Sequence, residues 1–112
     1  MIYDEICTYE VCMLAKEKGF YGPTAKNYRH KNGATCNAPS QSLLQRWLRE
    51  EKNIHIEIIA TASGYYWCVN KTNGTSITDS DVLNRGTNEG GCFDTFELCL
   101  EDALKYILQN LV

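Results

Sequence analysis

Proline is scarce, with Pro23 and Pro39 alone in 112 residues, and no apolar run approaches the roughly 18 to 20 residues that span a bilayer. A membrane-spanning segment is therefore not expected. The chain also lacks C-x-x-C, G-x-S-x-G, P-loop and H-E-x-x-H patterns. Its only histidines, His30 and His55, stand too far from paired cysteines to read as zinc ligands, so neither a metal nor a cofactor is expected. The opening "MIYDEICTYEVC" puts Asp4, Glu5 and Glu10 where a secretory leader carries basic residues and a long apolar stretch, so the expected address is cytoplasmic.

What the chain does have is a 44% apolar composition, sufficient for one buried core at this length, and six cysteines: Cys7, Cys12, Cys36, Cys68, Cys92 and Cys99. In a reducing compartment these read as free thiols acting as small buried hydrophobes. The net charge of -3 hides an asymmetry, because residues 1 to 52 carry +2 and residues 53 to 112 carry -5. The first half is mildly basic, which can mark a side that faces a polyanion.

Apolar spacing predicts three helices. Cys7, Val11, Leu14 and Ala15 form the stripe of a helix over about 8 to 18, with Thr8 as N-cap and Gly19 as its stop. Leu43, Leu44, Trp47 and Leu48 line a second helix from Ser40 to Glu51, in which Trp47 reads as a core anchor. Phe96, Leu100, Ala103, Leu104, Ile107 and Leu111 make a wide stripe on the last helix, with Asp94 and Glu97 as its capping box. Between the first two helices, "FYGPTAKNYRHKNGATCNAP" shows no apolar period and reads as a long loop.

Strict alternation in "NIHIEIIATA" marks a strand, and a reversal near Ser63-Gly64 leads into a second strand, "YYWCVNKT". Pairing Ile58 with Val69, or shifting the register by two, puts Ile54, Ile56, Ile58, Trp67 and Val69 on one face. Asn73-Gly74 suits a type I′ turn into a short third strand over 75 to 78. Residues 79 to 92 read as a mobile polar connection; Asp79-x-Asp81 fails the calcium-loop pattern, which needs Asp or Asn at Leu83 and Gly at Asn84. The expected fold is α+β, a two-layer sandwich of order ααβββα, with a small antiparallel β-meander covered on one face by three helices.

The stretch "CNAPSQSLLQRWLREEKNIHIEI" resembles a group of small proteins encoded by phages and prophages of gut bacteria. The shared pattern is Cys36, Ala38-Pro39, Gln41-Ser42-Leu43, Trp47-Leu48-Arg49-Glu50, Asn53-Ile54 and Ile56-Glu57-Ile58, with "LAKEKGF" and "TFELCLEDALKYIL" at the two ends. The resemblance implies a bacterial cytoplasm and an accessory role, and it carries over no catalytic or ligand residue.

The uncovered sheet face would show His55, Glu57, Ile59, Thr61, Tyr66, Cys68 and Asn70, with Ile77 at its margin. Its mixture of polar, aromatic and apolar groups points to a non-catalytic interaction module that docks an unknown protein or a second copy of itself. The alternative is a weak nucleic-acid binder, using Lys26, Arg29, Lys31, Arg46 and Arg49 for phosphates and Tyr28 for stacking. The overall acidity weighs against it. A small enzyme is a third reading, but in the expected registers His55 is only a diagonal neighbour of Cys68, roughly 7 to 8 Å away, which does not make a Cys-His pair.

Overall fold

The computed structural model describes residues 5–21, 26–29 and 35–112. Thr8, Ser40 and Thr95 each stand in extended backbone, and their hydroxyls accept from Val11, Leu43 and Leu98 N–H, which starts α1 (Tyr9–Glu17), α2 (Gln41–Glu51) and α3 (Phe96–Asn110). The cap of α3 is thus Thr95 rather than Asp94, whose carboxylate instead accepts from Asn88 Nδ2 at 3.1 Å. Gly19 follows α1 at φ 98, and Asn53 follows α2 at φ 58, a residue type that enters the left-handed well more readily than most.

The expected α+β order ααβββα is present, with one addition. Residues 20 to 39 are not a continuous loop, because β1 (Lys26–Arg29) pairs antiparallel with β2 (Thr35–Ala38) in a separate ribbon. Strands this short carry no readable alternation, so propensity gave no warning of them.

The main sheet is the meander β3 (Ile54–Thr61), β4 (Gly64–Lys71) and β5 (Ser76–Asp79), in that spatial order. Thr61 pairs with Gly64, so the reversal is Ala62-Ser63, and Ile58 faces Trp67 rather than Val69. The register differs by two, which leaves every side chain on its expected face. The turn into β5 is not type I′. Only Gly74 has positive φ, at 92, and Lys71 N–H bonds Thr75 C=O across the three residues 72–74. A register irregularity at Val69/Asn70 then turns Ile77 against the core, so it does not belong to the open face.

Trp67, Leu44, Leu48, Leu104, Ile107 and Leu108 are fully buried between the sheet and the helices. α2 and α3 lie directly on β3 and β4, and α1 packs on α3 and β2. Trp47 is a half-buried rim residue rather than a core anchor: Phe20 meets it edge-on at 5.4 Å and Lys52 Nζ lies 5.3 Å from its ring centre.

The cysteines divide. Cys7, Cys68, Cys92 and Cys99 are free thiols, but Cys12, packed with Ala38, Ile6 and Tyr9, is held in a disulfide. The expectation of six reduced thiols is corrected at Cys12. Cysteine spacing along the chain does not encode which thiols approach one another in space.

Residues 79 to 92 are pinned rather than mobile. Buried Ser80 closes both main-chain valences of Trp67, its N–H donating to Trp67 C=O at 2.9 Å and its hydroxyl accepting from Trp67 N–H at 3.0 Å. Arg85 forks onto Asp102 with two 2.8 Å bonds, and Phe93 exchanges two 2.8 Å bonds with Tyr65. These anchors satisfy the backbone without helix or strand.

Candidate functional site on the open sheet face

Alternation sends His55, Glu57, Ile59 and Thr61 of β3 away from the helices, and Tyr66, Cys68 and Asn70 of β4 with them. Their cross-strand pairs are His55 with Asn70, Glu57 with Cys68, and Ile59 with Tyr66; Thr61 lies opposite Gly64. All seven residues named from sequence are therefore brought to one face. The residues sequence reasoning missed there are Asp79, which sits opposite Cys68 on the β5 side, and Asp81 and Cys92, which close the end of the face. By sequence Asp79 falls in the polar connection just past the expected strand over 75 to 78, though it ends β5, and Cys92 arrives through the irregular 80–95 segment.

The face ends in a cavity of about 360 Å³ lined by Thr61, Tyr66, Asp79, Asp81 and Cys92, with the glycine pair 90–91 as part of its wall. Its titratable groups are a phenol, two carboxylates and a thiol, with no cation among the lining residues. Asp79 is partly committed, accepting Val82 N–H at 2.7 Å. Thr61 Oγ1 lies 3.7 Å from Cys92 Sγ.

Electrostatics at this face disfavour thiolate chemistry. Burial pushes the Cys68 thiol above its ordinary value, and the carboxylates of Asp79 and Glu57 on its two sides push the same way. Loss of hydration raises the Tyr66 hydroxyl, with Cys68, Asp79, Asp81 and Cys92 adding to it. A nucleophilic cysteine needs the opposite arrangement, a cation or helix N-terminus beside it. His55 pairs with Asn70 and remains diagonal to Cys68, so no Cys-His pair forms. No group of three or more His, Cys, Asp or Glu among the described residues is placed to hold a metal ion.

Another concavity, of about 390 Å³, lies between the starts of α1 and α3. Buried Gln41 donates there to Glu97 C=O at 2.9 Å and to Glu101 Oε2 at 2.7 Å, while Glu101 Oε1 takes Thr8 N–H at 2.6 Å. Those polar groups satisfy one another and tie three helices together, which is a structural task.

Of the basic candidates, Lys26, Tyr28 and Arg29 lie on β1, and Lys31 falls outside the described residues. Arg46 and Arg49 are exposed on α2, but Arg46 Nε is bound to Glu50 at 3.0 Å, an i,i+4 pair that cancels half of that cationic edge. No helix among the described residues is long and apolar enough to cross a membrane. Compared with protein-family models, with curated proteins and with solved structures, the chain matches none of them.

Proposed function

We propose that the protein is a non-catalytic interaction module of phage or prophage type that works in the bacterial cytoplasm and docks another protein on its open sheet face. The observation that carries this reading is the one-sided cover of the sheet: helices bury Ile54, Ile56, Trp67 and Val69, and among the described residues nothing lies over Ile59, Tyr66 and Cys68 except at the cavity end. Those side chains are half-buried, so ordering them on binding costs less entropy than for fully exposed ones. Tyr66, central and amphipathic, is the kind of residue that carries binding energy, with Glu57 and Asp79 as a polar rim.

The disulfide at Cys12 weighs against a steadily reducing compartment, because such bonds persist where the surroundings are oxidising. Because Cys12 is buried, alkylation under denaturing conditions in freshly quenched cells tests the address. A reactive Cys12 fits the cytoplasm, and a protected Cys12 refutes it.

The function is tested by affinity capture of the tagged chain from host lysate, with and without nuclease. A nuclease-resistant protein partner is expected, lost with Tyr66→Ala, for which truncation of a central aromatic costs about 2 kcal/mol or roughly thirtyfold in affinity. Recovery that depends on nucleic acid, or a partner indifferent to both Tyr66→Ala and Glu57→Lys, refutes docking on this face.

A further inference from the structure

We propose that the outer edge of β3 pairs antiparallel with the β3 edge of a second copy of this chain, the dyad passing between the two Ile59 residues. This concerns the main chain at the sheet's edge rather than the side chains of its open face, and either surface can act without the other.

The directions of the main-chain groups follow from three contacts on the far side of β4. Tyr65 exchanges bonds with Phe93, Trp67 C=O accepts from Ser80 N–H, and Lys71 N–H donates to Thr75 C=O. Odd-numbered residues of β4 therefore point toward β5, and even-numbered ones bond β3. Through the observed pairs, residues 55, 57, 59 and 61 of β3 face β4, and residues 54, 56, 58 and 60 turn their N–H and C=O outward. β3 is the edge of its sheet, and α2 covers only its first half, where Gln45 Nε2 donates to Ile56 C=O at 3.2 Å. Beyond it, no main-chain bond among the described residues holds the outward groups of Ile58 and Ala60, and Ala60 and Thr61 are exposed. Natural edges of this kind are blunted by lysine, proline or a bulge, and Ile58 to Thr61 has none of these.

Twofold symmetry leaves few registers. A dyad at residue 57 sets two Glu57 carboxylates against each other, a dyad at 56 or 58 draws on Ile56, whose carbonyl Gln45 already holds, and a dyad at 60 needs Ala62, which belongs to the reversal. A dyad at Ile59 uses only Ile58 and Ala60 for its bonds, each pairing with the other's counterpart. It also places Ile59 against Ile59 on the open face and Glu57 opposite Thr61. In this register no like charges oppose and the free groups of Ile58 and Ala60 satisfy one another, so a second copy fits the edge without a foreign strand. Because the free stretch is short, the dimer is weak and concentration-dependent.

Sedimentation velocity of the full chain from micromolar to millimolar concentration should show the average mass rising from monomer toward dimer. Ala60→Pro, which deletes an outward N–H and no bond of the β3–β4 ladder, should abolish that rise. Register is read with Ile59→Cys in a Cys68→Ser background. Non-hydrogen-bonded partners lie about 4.5 Å apart at Cα, within disulfide reach, so mild oxidation should give a 59–59 cross-link by mass spectrometry. Glu57→Cys should give no 57–57 link. A chain monomeric throughout, or a dimer that survives Ala60→Pro, or one without the 59–59 link, overturns the proposal.

Discussion

Asp102 shows how a single side chain can hold distant parts of the chain together. Its carboxylate accepts from Trp67 Nε1 at 3.0 Å and from both prongs of Arg85, whose guanidinium lies 5.2 Å from the Tyr106 ring centre. Asp102→Ala leaves a part-buried cation and the indole N–H unpaired, and should cost about 3 kcal/mol in urea denaturation. Asp102→Asn keeps an acceptor for the indole and should cost less. A second residue-scale prediction concerns Cys68. Its raised thiol makes it a slow nucleophile, and Asp79→Asn with Glu57→Gln removes two of the three causes, so alkylation near pH 8 should speed up. Slowing, or no change, would contradict the assigned electrostatics. Strand alternation alone put Trp67 in the core, because period two is a local property. Arg85 was invisible in the sequence because its value depends on a partner 17 positions away on another element.

At the scale of elements, caps and turns make the sharpest predictions. Thr95→Ala should destabilise the protein by about 1 kcal/mol through loss of the α3 cap, while Asp94→Ala should leave the helix start intact and loosen only the Asn88 contact. Equal losses in thermal melts would return the cap to Asp94. Gly64 is required twice over. Its φ is 127, and an added Cβ would strike the Phe93 carbonyl, so Gly64→Ala should cost about 2 kcal/mol or more and weaken the Tyr65–Phe93 bridge. The three helices and the meander were legible because each carries a sustained period or a cap signal. The β1–β2 ribbon and the anchored 80–95 segment were not, since their order comes from tertiary partners such as Ser80 and Phe93. The faces of the sheet survived an error of two in the register; an error of one would have inverted the candidate site.

For the whole molecule, the buried thiols set an alkaline limit. Burial pushes Cys99 up from 9.0 to about 12, and Cys7 further in the same direction. Folded thiols therefore keep their protons while unfolded ones release them, so stability is unaffected below about pH 9. Above it, stability falls, by about 1.4 kcal/mol per pH unit for each such thiol. Urea midpoints at about pH 7 and about pH 10 test this, and Cys99→Ala should flatten the fall; a midpoint that rises with pH would contradict it. The clasp on Glu101 has a further consequence, for the order in which the chain acquires structure. Thr8 and Gln41 both find their acceptor on α3, across 93 and 60 positions, and the apolar side of α1 is buried against that same helix. During synthesis, α1 must leave the ribosome with this partner helix still unmade. The contacts of α1 wait until α3 emerges, and folding then closes over long loops, which slows it and makes it depend on α3.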